Sequence, residues 1–425
     1  MAKKFETPKG TRDFLPAEMR TRRAVFDRLR RFFELYGFDE LDTPAFEYLE
    51  VLTLKAGAQA ENEIYAFTDK GDRRLGLRFD LTSSTGRVAA SHPEIPRPLY
   101  RYQIGKVWRY DSPQAGRYRE FYQADADIIG SSSTDCEVDL LLMATEVLKG
   151  FDLPEYKLVI NSRKILEAQV RVAGIPQEKK TDALRALDKL LKIGKDGMRD
   201  EFVRYGLTVE HFDKFCDTIV VETLDEAAAR IGGDEQGRAG VEELREIFGK
   251  AERLGFAQHL KFDWTLARGL DYYTGPVFEM HAKNEAGFGT FGAGGRYDDL
   301  VGLYGGQPQG AVGISFGIER LIGLIQERGG AADAGAKPVL VAPLGKEQFE
   351  AAERLAQALR HAGIATRLLP ALKRDKLFKY STASELPRVI LVGEEEAASG
   401  KYALRTAGGE EQRLDEAGLI ATLRA

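Results

Sequence analysis

From Pro16 onward apolar residues recur at helical spacing: Val25, Phe26, Leu29, Phe32, Phe33 and Tyr36 share one face, and Gly37 stands where a C-terminal cap is favoured. The pattern predicts an amphipathic helix over residues 16 to 36. The runs LGLRFDL, LYRYQIGKVWRY, REFYQADADIIG and KLVINS are short, rich in branched or aromatic residues and separated by turn signals, and predict strands of a mainly antiparallel sheet. From Ser162 to about Gly255 the periodicity turns helical, as in KKTDALRALDKLLKIG and GVEELREIFGKAERLG, which predicts a helical insertion. Strand character returns in HLKFDWTLARGLDYYTGPVFEMHA and runs through a glycine-rich stretch to a helix expected near Ile318. The sheet domain is thus interrupted and resumed.

ERGGAADAGAK, residues 327–337, has no periodicity and reads as a flexible linker. Beyond it PVLVAP, IATRLL, RVILVG and YALRT alternate with helical stretches over 347–361 and 375–386, the rhythm of a small α/β domain. The expected organisation is an α+β sheet domain in two parts, 1–161 and 256–326, a helical insertion at 162–255, the linker, and an α/β domain at 338–425.

At 425 residues the chain exceeds what one hydrophobic core usually serves, which agrees with several domains. With 43% hydrophobic and 30% charged residues it is composed as a folded soluble protein. No run of about 18 apolar residues exists and no apolar segment follows the N-terminal lysines, so neither a membrane span nor a secretion signal is expected. Cys136 and Cys216 are the only cysteines, with no partners at zinc-ligand spacing; a reducing cytoplasm is the expected compartment. A net charge of −5 argues against indiscriminate nucleic-acid binding, but it describes the far field and leaves a local phosphate-binding patch open.

Two short matches point elsewhere. GFGTFG, residues 287–292, has the spacing of a dinucleotide-binding turn but lacks the helix that should follow. GISFG, residues 313–317, matches the nucleophile elbow of serine hydrolases, yet Asp333 falls in the linker and His361 ends a helix of the other domain, so neither is placed to serve Ser315. Small residues there are better explained by close approach of strand and ligand.

Residues 101–130, RYQIGKVWRYDSPQAGRYREFYQADADIIG, carry more information. Period-2 alternation puts Arg109 and Asp111 on one face before a turn containing Pro113 and Gly116, and Arg117, Arg119 and Phe121 on one face after it. Cations, an acid and an aromatic converge on one hairpin. Alone, such a hairpin is better read as an ordinary one with a solvated charged face.

In context, this segment resembles motif 2 of the class II aminoacyl-tRNA synthetases. GAVGISFGIER, ending at Glu319 and Arg320, is similar to their motif 3, and YGFDELDTPAFE, with Pro44, to motif 1. LARGLDYYTGPVFE (266–279) and GAGGRYDDL (292–300) resemble the two signatures of the histidyl-tRNA synthetases. The resemblance covers nearly the whole chain, with the C-terminal α/β unit resembling an anticodon-binding domain.

It implies a dimeric enzyme that activates L-histidine with ATP and Mg2+, without a permanent metal, and loads it onto tRNA(His). By motif match Arg109 and Arg268 hold the α-phosphate, Arg117 and Arg320 the outer phosphates, Phe121 one face of adenine and Asp111 its amino edge, with stacking on the other face an alternative for Arg320. Glu319 is a candidate anchor for the ATP-bound magnesium. Asp127 and Tyr273 match the imidazole-binding positions, with Tyr272 and Tyr297 as pocket wall; Asp80 and Thr82 match residues that bind the amino acid's ammonium group, and Gln123 is expected to add a further polar contact. Asp111 and Asp127 both stand where glutamate is usual. Whether the helical insertion touches the acceptor arm or is a plain solvated surface stays open. A non-catalytic regulatory relative from histidine biosynthesis is the rival reading, disfavoured by Arg268, the LDYY signature and the full C-terminal domain.

Overall fold

A 20-residue helix, Pro16–Leu35, opens the fold with proline in its first turn, where no backbone donor is needed. Val25, Leu29 and Phe33 are fully buried, while Phe26, Phe32 and Tyr36 pack at the edge of the same core. Gly37 takes φ +77, and the amides of Gly37 and Phe38 return to Glu34 and Phe33 carbonyls, which closes the helix end. The computed structural model describes residues 5–56, 58–112, 117–153, 155–267, 272–284, 287–327, 337–406 and 410–424.

The helix covers one face of an eight-stranded sheet. In spatial order the strands are Asp39–Glu40, Leu99–Trp108, Glu120–Ile129, Ala311–Gly317, Gly287–Arg296, Pro276–Asn284, Tyr156–Ser162 and Leu260–Phe262. All interior pairs are antiparallel; the two short edge strands are parallel to their neighbours. Segments far apart in sequence therefore lie side by side, which joins the two halves of the interrupted domain into one sheet. Ala124, Ala126 and Ile128 turn to the apolar core with Phe278, Met280, Ile314 and Phe316. The alternate residues of the same strands face away from it.

One strand differs from expectation. LGLRFDL does not join the large sheet: only Arg74–Leu77 is extended, in a separate three-stranded sheet with Phe46–Tyr48 and Ala66–Thr68. The chain leaves strand geometry at Arg78, whose guanidinium turns inward to the Thr43 and Lys106 carbonyls, and Asp80 Oδ1 accepts the Ser83 amide at the start of the Thr82–Ser91 helix. These three polar contacts override the apolar alternation.

Between Ser162 and Leu260 lie the helices Arg163–Val172, Lys180–Asp188, Leu190–Arg204, Val209–Ile219, Leu224–Ile231 and Glu235–Arg253. Those at the two ends and Leu224–Ile231 join the main core through Ile165, Ala168, Ala227, Ile231, Val241, Leu244 and Ile247, while the other three gather around Leu184, Phe202, Phe212 and Phe215. This region thus shares the main core and adds a second one. Everything to Ala332 forms one compact unit, and Asp333–Ala425 forms another.

In the second unit the strands Val339–Pro343, Thr366–Leu368 and Val389–Val392 are parallel, and Lys401–Arg405 and Glu411–Asp415 continue the sheet antiparallel. The helices Phe349–His361 and Glu416–Arg424 bury Leu355, Leu359, Leu419 and Leu423 against Val341, Ile390 and Val392. The polar strand Glu411–Asp415 and its following helix have no counterpart in the sequence expectation.

Candidate active site

On the face of the large sheet away from the long helix, pleating and register assemble a polar surface. Phe121, Gln123, Asp125 and Asp127 alternate along one strand; Val107, Gly105, Gln103 and Arg101 lie opposite them on one side, and Gly317, Ser315 and Gly313 stand opposite Gln123, Asp125 and Asp127 on the other. On the motif 3 side the large polar groups are flanked by small residues. The strand from motif 3 makes a floor over which other side chains can lie.

At one end Asp127 is buried between Arg101, with which it forms an ion pair, and the Tyr297 hydroxyl, which donates to its Oδ1. A Cβ on Gly313 would stand 1.9 Å from Asp127 Oδ1, so only glycine permits this approach. Tyr272, Tyr273 and Tyr297 enclose the spot, with ring centroids 4.3 Å apart for the first pair and 6.2 Å for Tyr272 and Tyr297. Burial pushes the Tyr297 and Tyr272 hydroxyls well above their usual range, so both remain neutral donors. The glycine signature carries Tyr297 into place: Arg296 beside it makes a buried two-pronged pair with Glu137, both contacts at 2.6 Å, and bonds the Ser131 and Ser133 carbonyls. Gly295 has the Tyr273 ring 3.0 Å from where a Cβ would stand.

Further along the strand Gln123 Nε2 donates to Ser315 Oγ at 2.7 Å. Asp125, only 2% exposed, shares that serine and lies within electrostatic reach of Asp127, Asp80 and Arg101. Burial first, then the charge of Asp127, raises its carboxyl from 3.8 to about 7. Asp80 is buried, and Thr82 begins the helix that Asp80 helps to start. Ser315 is therefore part of this polar row; His361 belongs to the other unit, and Asp333 lies outside the described residues.

At the far end Arg109 lies with its guanidinium 5.2 Å from the centre of the Phe121 ring and donates from Nε to the Phe79 carbonyl. Asp111 and Arg117 pair with each other, at 2.8 and 2.9 Å. Arg320 Nη1 donates to the Thr290 carbonyl at 2.6 Å. Arg268 lies outside the described residues, as do Pro113 and Gly116 of the hairpin turn.

Glu319 does not fit the part of a magnesium anchor. One oxygen accepts Arg22 Nη2 at 2.7 Å and the other the Tyr122 amide at 3.1 Å, in a contact where Arg22 is 1% and Glu319 7% exposed. A buried carboxylate committed to a buried arginine ties the long helix to the motif 2 strand. Among the described residues no group of three or more acids, histidines or cysteines converges as a metal site.

The motifs single out neither Arg101 nor Asp125. The signal was present: the same alternation that joins Arg109 to Phe121 runs back to Arg101 and forward through Asp125.

Comparison with known proteins shows the family to which this fold belongs. A family model described as histidyl-tRNA synthetase matches residues 10–321, and one described as anticodon binding domain matches 338–425. The histidine–tRNA ligase of Christiangramia forsetii is 35% identical over 100% of both chains, and that of Porphyromonas gingivalis 36% identical over 98% of both. The crystal structure of histidyl-tRNA synthetase from Nostoc sp. PCC 7120 superposes with a TM-score of 0.84 at 28% identity, covering 99% of each chain. A Bacillus halodurans structure described as an ATP phosphoribosyltransferase regulatory subunit/histidyl-tRNA synthetase shares the fold, with a TM-score of 0.76 at 24% identity over 92% of this chain and 98% of its own. Matched over residues 10–321 and 338–425 by these two models, and along its whole length by such relatives, the chain belongs to the histidyl-tRNA synthetase family.

Proposed function

We propose that the chain is a histidine–tRNA ligase, acting in two steps on L-histidine, ATP and tRNA(His). The observation that carries this reading is the buried Asp127 carboxylate, held between Arg101 and Tyr297 beside two further tyrosines in a chain of this family. Arg101 favours the ionised acid, and an anionic acceptor inside an aromatic wall suits an imidazole N–H. Tyr273 is assigned the other ring nitrogen, with Tyr272 and Tyr297 as wall. Asp80, Thr82 and Gln123 are assigned the ammonium end.

In the first step the histidine carboxylate attacks the α-phosphorus of ATP, an O–P bond forms, and pyrophosphate leaves with the electrons of the broken bond. A carboxylate with a pKa near roughly 3.5 needs no general base, so positioning and charge stabilisation carry the step. Arg109 and Arg268 are assigned the α-phosphate, Arg117 and Arg320 the outer phosphates, Phe121 an adenine face, and Asp111 its amino edge. The Asp111 to Arg117 pair would have to open for this; Arg117 is half exposed, and such pairs are worth only about 0 to 1 kcal/mol. Magnesium belongs to the ATP phosphates as part of the substrate. In the second step the terminal ribose hydroxyl of tRNA attacks the acyl carbon and AMP leaves, its phosphate taking the hydroxyl proton.

We assign residues 1–161 and 256–326 to catalysis and 338–425 to the anticodon; the insertion at 162–255 has no assigned contact. A homodimer is part of the proposal. Phe46, Tyr48, Leu54 and Phe67 are 43–52% exposed on the small sheet and the helix beside it, next to the motif 1 segment, an apolar patch suited to a two-fold partner. Two unpaired, buried cysteines agree with a reducing cytoplasm. No described helix is long and apolar enough to cross a membrane.

Incubating the protein with ATP, labelled histidine and total tRNA tests the reading. Label should enter only tRNA(His), and label entering no tRNA would refute it.

A further inference from the structure

Two acceptor atoms at successive positions on one face of the same strand lack donors. Asp125 Oδ1 and Gln123 Oε1 are buried, and neither has a hydrogen-bond partner among the described residues. Their other side-chain atoms are engaged through one hydroxyl, Ser315 Oγ. A buried acceptor without a donor costs about 1 to 3 kcal/mol, more when charged, so the pair favours a ligand that brings hydrogens.

The charges around them say what kind. Facing Asp125 are Asp127 on its own strand, Asp80 from the start of the Thr82–Ser91 helix, Arg101 and Arg78 from the neighbouring side, and Tyr272 from the tyrosine pair. Arg101 is already paired with Asp127, and Arg78 with the Thr43 and Lys106 carbonyls. With both guanidinium groups committed elsewhere, Asp125 biases the row toward a cation. A primary ammonium group supplies three N–H donors and one positive charge, which suits two neutral or anionic acceptors beside a further acid.

We propose that Asp125 is a substrate-binding residue, its Oδ1 accepting a hydrogen bond from the α-ammonium group of the amino acid beside Gln123 Oε1. The proposal rests on the histidine–tRNA ligase reading and extends its contacts to a residue that no motif assigns. In the unliganded site burial and Asp127 hold the carboxyl near half protonation at neutral pH. An arriving ammonium favours the ionised form, so binding expels the Asp125 proton to solvent while the ammonium keeps all three of its own.

The test is calorimetry of histidine binding at pH 7 in two buffers of different ionisation enthalpy, with Asp125→Asn and the smaller Asp125→Ser as variants, each checked for folding by near-UV circular dichroism. The wild-type protein should release about half a proton per histidine, more than the roughly one quarter that a free imidazole with a pKa near 6.5 could supply. Either folded variant should lose that release and raise the histidine KM at least about tenfold, with the ATP KM changed less than about twofold. Unchanged histidine KM in a folded variant, or no excess proton release from the wild-type protein, overturns the proposal. Histidine binding with the expected release but without pyrophosphate exchange would sink the catalytic reading and leave the ammonium contact standing.

Discussion

Two carboxyl groups two residues apart on one strand are given different characters by their neighbours. Asp127 has a guanidinium against it, whereas Asp125 has a hydroxyl and two other acids. Asp127→Ala should therefore weaken histidine binding about a hundredfold while ATP binding changes little, because a buried charged acceptor is lost from the ring pocket. Equal losses for both substrates would indicate general damage. The raised Asp125 carboxyl has a separate signature in stability. Between 3.8 and about 7 the folded protein holds a proton that the unfolded chain has released, so this group lowers stability as pH rises through that window and keeps it lowered above. Denaturant melts of Asp125→Asn should lack that part of the slope, and curves parallel to the wild-type protein from pH 4 to 7 would contradict it. At this scale alternation groups Arg109 with Asp111, and Arg117 with Arg119 and Phe121, from sequence alone, and the resemblance adds Gln123 and Asp127. Alternation could not say that Arg101 neutralises Asp127, because that depends on strand register, nor that Glu319 faces Arg22, 297 residues away.

At the scale of elements, glycines decide how closely strands and side chains meet. Gly313→Ala should fold with a loss of about 1 to 3 kcal/mol and bind histidine poorly, since its methyl would occupy the place of Asp127 Oδ1. Gly302→Ala, whose added Cβ meets only ordinary contacts at 3.4 Å and beyond, is the control; equal histidine affinity in both would remove the steric argument. Arg22→Ala leaves Glu319 buried without its cation and should cost about 3 to 5 kcal/mol, measurable by urea melts. The long helix was legible because its apolar face has one period throughout. The Arg74–Leu77 strand was not, since Arg78 and Asp80 end it through contacts to Thr43, Lys106 and Ser83 that periodicity does not encode.

At the scale of the whole molecule, the two compact units predict separable half-reactions. A fragment ending at Glu327 contains every residue assigned to ATP and histidine and should dimerise, which light scattering would report as twice the fragment's mass. It should keep adenylate formation but lose charging at limiting tRNA, because anticodon contacts no longer add to those at the acceptor end. Unchanged charging at limiting tRNA would refute the role given to residues 338–425. The central claim, that this site activates histidine, is tested most directly by exchange of labelled pyrophosphate into ATP. The account predicts exchange that requires histidine and is supported by none of the other amino acids at comparable concentration; a folded protein showing no exchange, or exchange indifferent to histidine, would contradict it.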